Sequence, residues 1–157
     1  MANYDFPNTK EQLNQLIADI SQLGVVVQQT HWYMRGENFF RLHPLMDEYG
    51  AQLDQQKDEI AERLIALNGS PFATTHEFIE NTGIPDEELQ FDELSMQELM
   101  QRLVDQFKYL RDQFQKGIEI TDEEKDFPTQ DMLNGFKSET DKIIWMINAY
   151  LGQAPLD

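Results

Sequence analysis

His31, His43, Asp47, Asp58 and Glu62 are the residues of this 157-residue chain whose types and spacing suit metal chemistry. His43 and Asp47 stand one helical turn apart, and so do Asp58 and Glu62. The outer pair, His43 and Glu62, and the inner pair, Asp47 and Asp58, share one midpoint, between Gln52 and Leu53. Within a single helix Asp47 and Asp58 lie about 16 Å apart, at roughly 1.5 Å rise per residue, and cannot share an ion. If the helix pairs antiparallel with its own copy about a twofold axis at that midpoint, His43 faces Glu62 of the partner subunit. Asp47 then faces Asp58 of the partner subunit, and the symmetry creates two identical sites per dimer. Imidazole nitrogen with carboxylate oxygen and no sulfur suits iron, manganese or zinc better than copper(I).

Each residue also has a plainer reading. A histidine on an apolar helix face, as His31 is, is commonly a hydrogen-bonded core residue. His43 and Asp47 could form an ordinary i,i+4 pair. Asp58 and Glu62 at the same spacing are like charges, which costs stability on a bare helix and favours a cation between them, although an exposed pair is tolerated. Many acids are available to produce a symmetric pattern by chance, so spacing alone leaves both readings open.

Four long segments must position these residues. The first opens at an Asn8 or Thr9 cap with Glu11 in its first turn. Its apolar stripe runs Leu13, Ile17, Ile20, Gly24, Val27, His31, Met34, and places His31 on the buried face. Gly36, Glu37 and Asn38 break it. The second spans Phe39 to Asn68, with a stripe from Leu42, Met46, Tyr49 and Leu53 to Ile60, Leu64 and Leu67. His43, Asp47, Asp58 and Glu62 lie beside that stripe, and Gly50 and Ala51 near the midpoint are small enough for two helices to approach. Asn68-Gly69-Ser70-Pro71 ends the segment. A link of about 25 residues follows, a length more typical of a functional crossover than of a tight turn, with a short helix expected over Thr74–Glu80. Ser95 and Glu98 form a capping box for the third segment, which runs to Ile120. The fourth runs from Thr129 to Leu151, closed by Gly152 and Pro155. The pattern predicts one all-α domain over 1–157: a four-helix bundle with a long crossover between its second and third helices.

The composition excludes some classes. There are no cysteines, so no disulfide, thiolate site or cysteine nucleophile. No signal-peptide pattern or membrane span is visible, and a cytoplasmic location is expected. Acids outnumber Lys and Arg 29 to 12, for a net charge of −17. Such a surface repels nucleic acid and anionic membranes.

The run His31-Trp32-Tyr33-Met34-Arg35-Gly36-Glu37-Asn38-Phe39-Phe40-Arg41-Leu42-His43, followed by Asp47, Asp58 and Glu62, resembles the Dps-type miniferritins of the ferritin-like superfamily. The likeness continues through Arg63, Gly69-Ser70-Pro71-Phe72, Trp145, Tyr150 and Gly152, and covers nearly the whole chain. It implies a ferritin-like bundle assembled as a hollow homo-dodecamer with ferroxidase sites between subunits. His31, His43 and Asp47 match the ligands from one subunit, and Asp58 and Glu62 those from its partner. Trp32 and Trp145 match aromatic positions that take up stray oxidising equivalents; core packing is their plainer role. The implied activity is oxidation of Fe²⁺, preferably with H₂O₂, and storage of ferric mineral, with zinc or manganese also admissible at the same ligands. Because imidazole must be neutral to bind, metal binding should weaken as His31 and His43 protonate.

Larger ferritins use a Glu-x-x-His pair within one bundle. No Glu stands three residues before any His here, which argues against an intrasubunit centre. The resemblance further implies a threefold pore lined by acids near the start of the last helix, with Asp122, Asp126 and Asp131 as candidates. Phe127 departs from the acidic pattern of some relatives and makes Asp126 the weaker assignment. DNA-binding members carry basic tails. Here the N-terminal stretch has Lys10 alone and the C-terminal stretch none, so no DNA binding is expected. A DNA-compacting shell therefore fits poorly. A phosphorelay bundle leaves the second histidine and the spaced acids unexplained.

Overall fold

The computed structural model describes residues 3–157. Helix α1 (Pro7–Tyr33) starts with proline at its first position, where a missing N–H costs nothing. Asn8 and Thr9 do not cap it with their side chains. Their backbone N–H groups instead donate to the Glu124 carboxylate, at 3.1 and 2.6 Å. An anion supplied from far along the chain thus satisfies the orphan donors of the first turn. A short link follows, with Gly36 at φ 102° and Asn38 at φ 69°. These left-handed residues turn the chain back, so α2 (Phe39–Ala66) runs antiparallel to α1. Pro44 lies inside α2 without interrupting it.

The end of α2 is set by Asn68 at φ 61°. The Asn68 and Gly69 N–H groups donate to the carbonyls of Ile65 and Leu64, at 2.9 and 2.8 Å. This paired closure explains why the helix stops at Ala66 rather than at Asn68. The crossover contains α3 (Thr75–Asn81), capped by the Thr74 hydroxyl accepting from Glu77 N–H. It packs on α1. Helix α4 (Met96–Glu124) has the expected Ser95–Glu98 capping box. It runs a turn beyond Ile120, because the chain stays helical until Lys125 turns left-handed at φ 63°. Asp126 then caps α5 (Phe127–Tyr150), so α5 starts before the expected Thr129.

The four long helices form the ferritin-like bundle, with α1 against α2, α4 against α5, and α1 against α4. Leu13, Leu16, Leu23, Ile60, Leu64, Leu103, Leu110, Phe114 and Leu133 are fully buried at its centre. Gly24 is an exception to its expected place in the α1 stripe. A Cβ there would meet nothing within 4 Å, because Gly24 lines an open cleft rather than the core.

Asp19 is the one carboxylate at the centre of α1, fully buried between Leu16 and Leu23. It accepts from the Thr82 hydroxyl at 2.8 Å, Gly83 N–H at 2.9 Å, Gln15 at 3.1 Å and the Tyr109 hydroxyl at 3.2 Å. These bonds tie the crossover to α1 and α4. Burial pushes the Asp19 carboxyl above its ordinary value, although the hydrogen bonds pull it down. The same burial, with Asp19 beside it, pushes the Tyr109 phenol up to about 12. No helix formed by the described residues is long and apolar enough to cross a membrane.

Candidate metal centre at the α1–α2 junction

The turn through Gly36 and Asn38 brings the end of α1 beside the first turns of α2. His31 and His43 meet there face to face, with ring centroids 3.7 Å apart and planes 9° from parallel. Each imidazole Nδ1 bonds to the main-chain carbonyl of the other histidine: His31 Nδ1 to His43 O at 2.7 Å, and His43 Nδ1 to His31 O at 2.9 Å. A carbonyl only accepts, so both Nδ1 atoms must carry the proton. In the neutral form each ring then has a bare lone pair on Nε2, the form in which imidazole binds a metal. Asp47 Oδ1 lies 3.6 Å from His31 Nε2, and its side chain is 76% exposed against 16% for His31.

His31 and Asp47 border a cleft of about 590 Å³ between α1 and α2, also lined by Gly24, Trp32, Gly50 and Asp54. Neither Gly24 nor Gly50 has a neighbour within 4 Å of a Cβ position, so the cleft wall is thin and open. Asp58 and Glu62 are exposed further along α2. At about 1.5 Å per residue, Asp58 lies roughly 16 Å along the helix from Asp47. Among the described residues of one chain, no group of three or more His, Asp or Glu side chains converges to hold a metal ion. The single subunit thus presents the expected ligand set in two separated parts: His31 of α1 with His43 and Asp47 of α2, and Asp58 with Glu62 further along α2.

The aromatic candidates divide. Trp32 lines the cleft and is 61% exposed, whereas Trp145 sits on α5, half exposed and away from the cleft. Neither is a core filler within the subunit. The pore candidates divide as well. Asp122 and Asp131 are exposed, and Asp122 accepts from Gln130 at 3.4 Å. Asp126 is 1% exposed. It bonds to Arg63 at 3.0 Å, accepts from Thr129 N–H at 3.4 Å and binds the Thr129 hydroxyl. Its carboxylate is spent on a helix cap and an internal ion pair. Within the subunit it is buried, at the edge of a surface pocket shared with Arg63, Lys125 and Pro128, whereas Asp122 and Asp131 are exposed.

Sequence reasoning missed three features. Phe39 stacks on His43, but a stack depends on ring orientation. Glu124 caps α1, a contact between residues remote in sequence. Asp19 was detectable, because a charge at the core phase of Leu16 and Leu23 signals a buried polar hub. The remaining histidine, His76, is exposed and pairs with Glu80 at 3.1 Å, an ordinary i,i+4 contact.

A ferritin-like domain model matches residues 10–156. The DNA protection during starvation protein of Listeria monocytogenes is 48% identical over 151 residues, covering 96% of both chains. The structure of Listeria innocua Dps soaked with cobalt is 45% identical and covers all of both chains, with a TM-score of 0.93. A Dps protein of Vibrio cholerae, described as one of the ferritin-like diiron-carboxylate proteins, is 27% identical, covers 94% of this chain and 91% of its own, and has a TM-score of 0.87.

Proposed function

Since this chain belongs to the Dps family of ferritin-like proteins, we propose that it oxidises Fe²⁺ at sites shared between two subunits, with H₂O₂ as preferred oxidant. The ferric product is stored in a hollow dodecamer, and removal of both reactants protects the cell's contents from oxidative damage. The observation that carries this reading is the reciprocal lock of His31 and His43. It fixes both imidazoles in the metal-binding tautomer beside Asp47. The donor set, nitrogen and carboxylate oxygen, fits Fe²⁺ and also admits zinc or manganese.

His31, His43 and Asp47 form one half of the site, and Asp58 and Glu62 of the partner subunit form the other. The common midpoint of the two halves on α2 and the open cleft beside Gly50 support this pairing. Neutral imidazoles and carboxylates hold two Fe²⁺ ions. Each ion gives one electron to H₂O₂, the O–O bond breaks, and two protons complete two water molecules, so no hydroxyl radical is released. The carboxylates bind more strongly as the iron charge rises. Trp32, at the cleft, is suited to take a stray oxidising equivalent, with Trp145 as a second and more distant candidate. Exposed Asp122 and Asp131 are the acids available to concentrate Fe²⁺ at a threefold pore.

A shell of about 220 kDa follows from 18.4 kDa per chain, and static light scattering checks it. The relatives' name refers to DNA protection. Twelve chains of −17 each would carry about −200 charges, which opposes phosphate contact, so we assign protection to iron and peroxide removal in the cytoplasm. The deciding experiment is an Fe²⁺ titration under anaerobic conditions, in air, and with H₂O₂ added without oxygen. The expected result is fast oxidation with peroxide at about two Fe²⁺ per H₂O₂, slower oxidation in air and none without oxidant. Equal rates with air and peroxide would overturn the oxidant preference, and no catalysed oxidation would overturn the activity.

A further inference from the structure

The His43 ring is covered on both faces. His31 lies against it at 3.7 Å and 9°, and Phe39 stacks on it at 4.7 Å and 22°. Two rings that each lie nearly parallel to a third, without stacking on one another, occupy its opposite faces. Phe39 is the first residue of α2, one turn before His43, so helix geometry carries its ring over the imidazole. Phe39 is itself half-buried against the core and meets Phe40 edge-on at 5.6 Å and 74°. Its own orientation is therefore restricted.

We propose that Phe39 is a positioning residue of the metal centre: it closes the Phe39–His43–His31 ring stack and so holds the His43 imidazole in its metal-binding orientation. The inference rests on the reading of His31 and His43 as iron ligands. The outer torsion of a histidine is broad and roughly two-fold, so packing must select one ring orientation. With one face open, the His43 ring can turn away, Nδ1 leaves the His31 carbonyl, and the tautomer is no longer fixed. Water also gains access to that carbonyl. A ligand that must be reordered on binding loses affinity, whereas the chemistry of an ion already bound is unchanged. The Phe39 ring contacts no iron and supplies no electron or proton; its effect is confined to binding.

The test compares Phe39→Leu, Phe39→Met and Phe39→Tyr in the full assembled protein at one near-neutral pH. Co²⁺, titrated without oxygen and followed by visible absorption, is the probe. Loss of a stacked aromatic pair should raise the Co²⁺ Kd about five- to tenfold in the Leu and Met variants. Tyr should restore it to within about twofold of the parent, because the ring face is kept. Absorption per bound Co²⁺ should not change. A readout without metal is the ¹⁵N spectrum of histidine-labelled protein in a His76→Asn background, which leaves only His31 and His43. One Nδ1–H tautomer is expected for His43 with Phe or Tyr at position 39, and an averaged signal with Leu or Met. Parental affinity and a single tautomer in either aliphatic variant would overturn the proposal, and two such variants guard against one failing to assemble. If His31→Gly/His43→Gly binds Co²⁺ as the parent does, the ligand reading itself fails. If that mutant loses Co²⁺ while Phe39→Leu does not, only the role of Phe39 fails.

Discussion

Two polar clusters on α1, one at Asp19 and one at His31, are built on opposite principles. Asp19 is fully buried, and its two oxygens accept from Thr82, Gly83, Gln15 and Tyr109. Its bonding capacity is used up inside the subunit. His31 and His43 spend only their Nδ1 protons, on each other's carbonyls, and keep both Nε2 lone pairs for something else. A polar group satisfied within the chain holds the fold together, whereas one left with an aimed, unused valence marks a site. Asp126, expected to line a pore, has the character of Asp19, with its carboxylate committed to Arg63 and Thr129.

The sharpest way to break this contrast is to remove the unused valences. His31→Gly/His43→Gly should slow peroxide-driven Fe²⁺ oxidation by more than about 100-fold, beyond the range seen when only supporting groups around a metal are lost. The shell should still assemble, since the core lies elsewhere. Stopped-flow absorbance with parallel light scattering measures both, and parental rates would place the site elsewhere.

A mixing experiment tests whether the missing half comes from a second subunit. The His31→Gly/His43→Gly chain and an Asp58→Ala/Glu62→Ala chain should each have low activity. In a mixed dimer both lesions fall in one site and the other keeps all its ligands. Co-refolded mixtures should therefore regain up to about one working site per mixed dimer. Confirmed mixed dimers with no recovered activity would rule out the shared site.

Asp126→Ala tests the opposite class. It breaks a buried ion pair and a helix cap, and should cost about 3 kcal/mol, measured by urea unfolding at one protein concentration. Because the Asp126 carboxylate is buried and committed to Arg63 and Thr129, iron oxidation per assembled shell should stay at the parental rate. Asp122→Asn/Asp131→Asn should do the reverse, slowing iron uptake with little change in stability. A pore role for Asp126 would appear as slow uptake in shells that remain intact.

The smallest expected effect concerns Asp19. Burial raises its folded pKa above the ordinary 3.8, so the folded state keeps a proton that the unfolded chain has released. Its favourable linkage is complete below the unfolded value and is lost as pH rises towards the folded one. In that window, stability should fall by at most about 1.4 kcal/mol per pH unit from this group. Asp19→Asn should remove that slope, which urea midpoints collected upward from pH 3.8 would reveal. An unchanged slope would show that Asp19 ionises as it does in the unfolded chain.

The helices were legible from local patterns, because apolar spacing, the Ser95–Glu98 box and the Asn68-Gly69 stop act within a few residues. The sequence also paired His43 with Asp47 and Asp58 with Glu62, since residues one turn apart must share a helix face. Helix ends were less legible where the cap came from afar: α1 begins at Pro7 because Glu124 reaches its first turn. Tertiary structure alone decided which polar groups were spent. Asp126 and Asp122 look alike as acids near the α4–α5 turn, yet one is buried against Arg63 and the other is exposed. Likewise, nothing local to His31 or His43 fixes a tautomer. That required the antiparallel return of α2, which set each imidazole against the other's carbonyl. Helix periodicity is a property of neighbours along the chain, whereas hydrogen-bond satisfaction depends on groups that only the completed fold brings within reach.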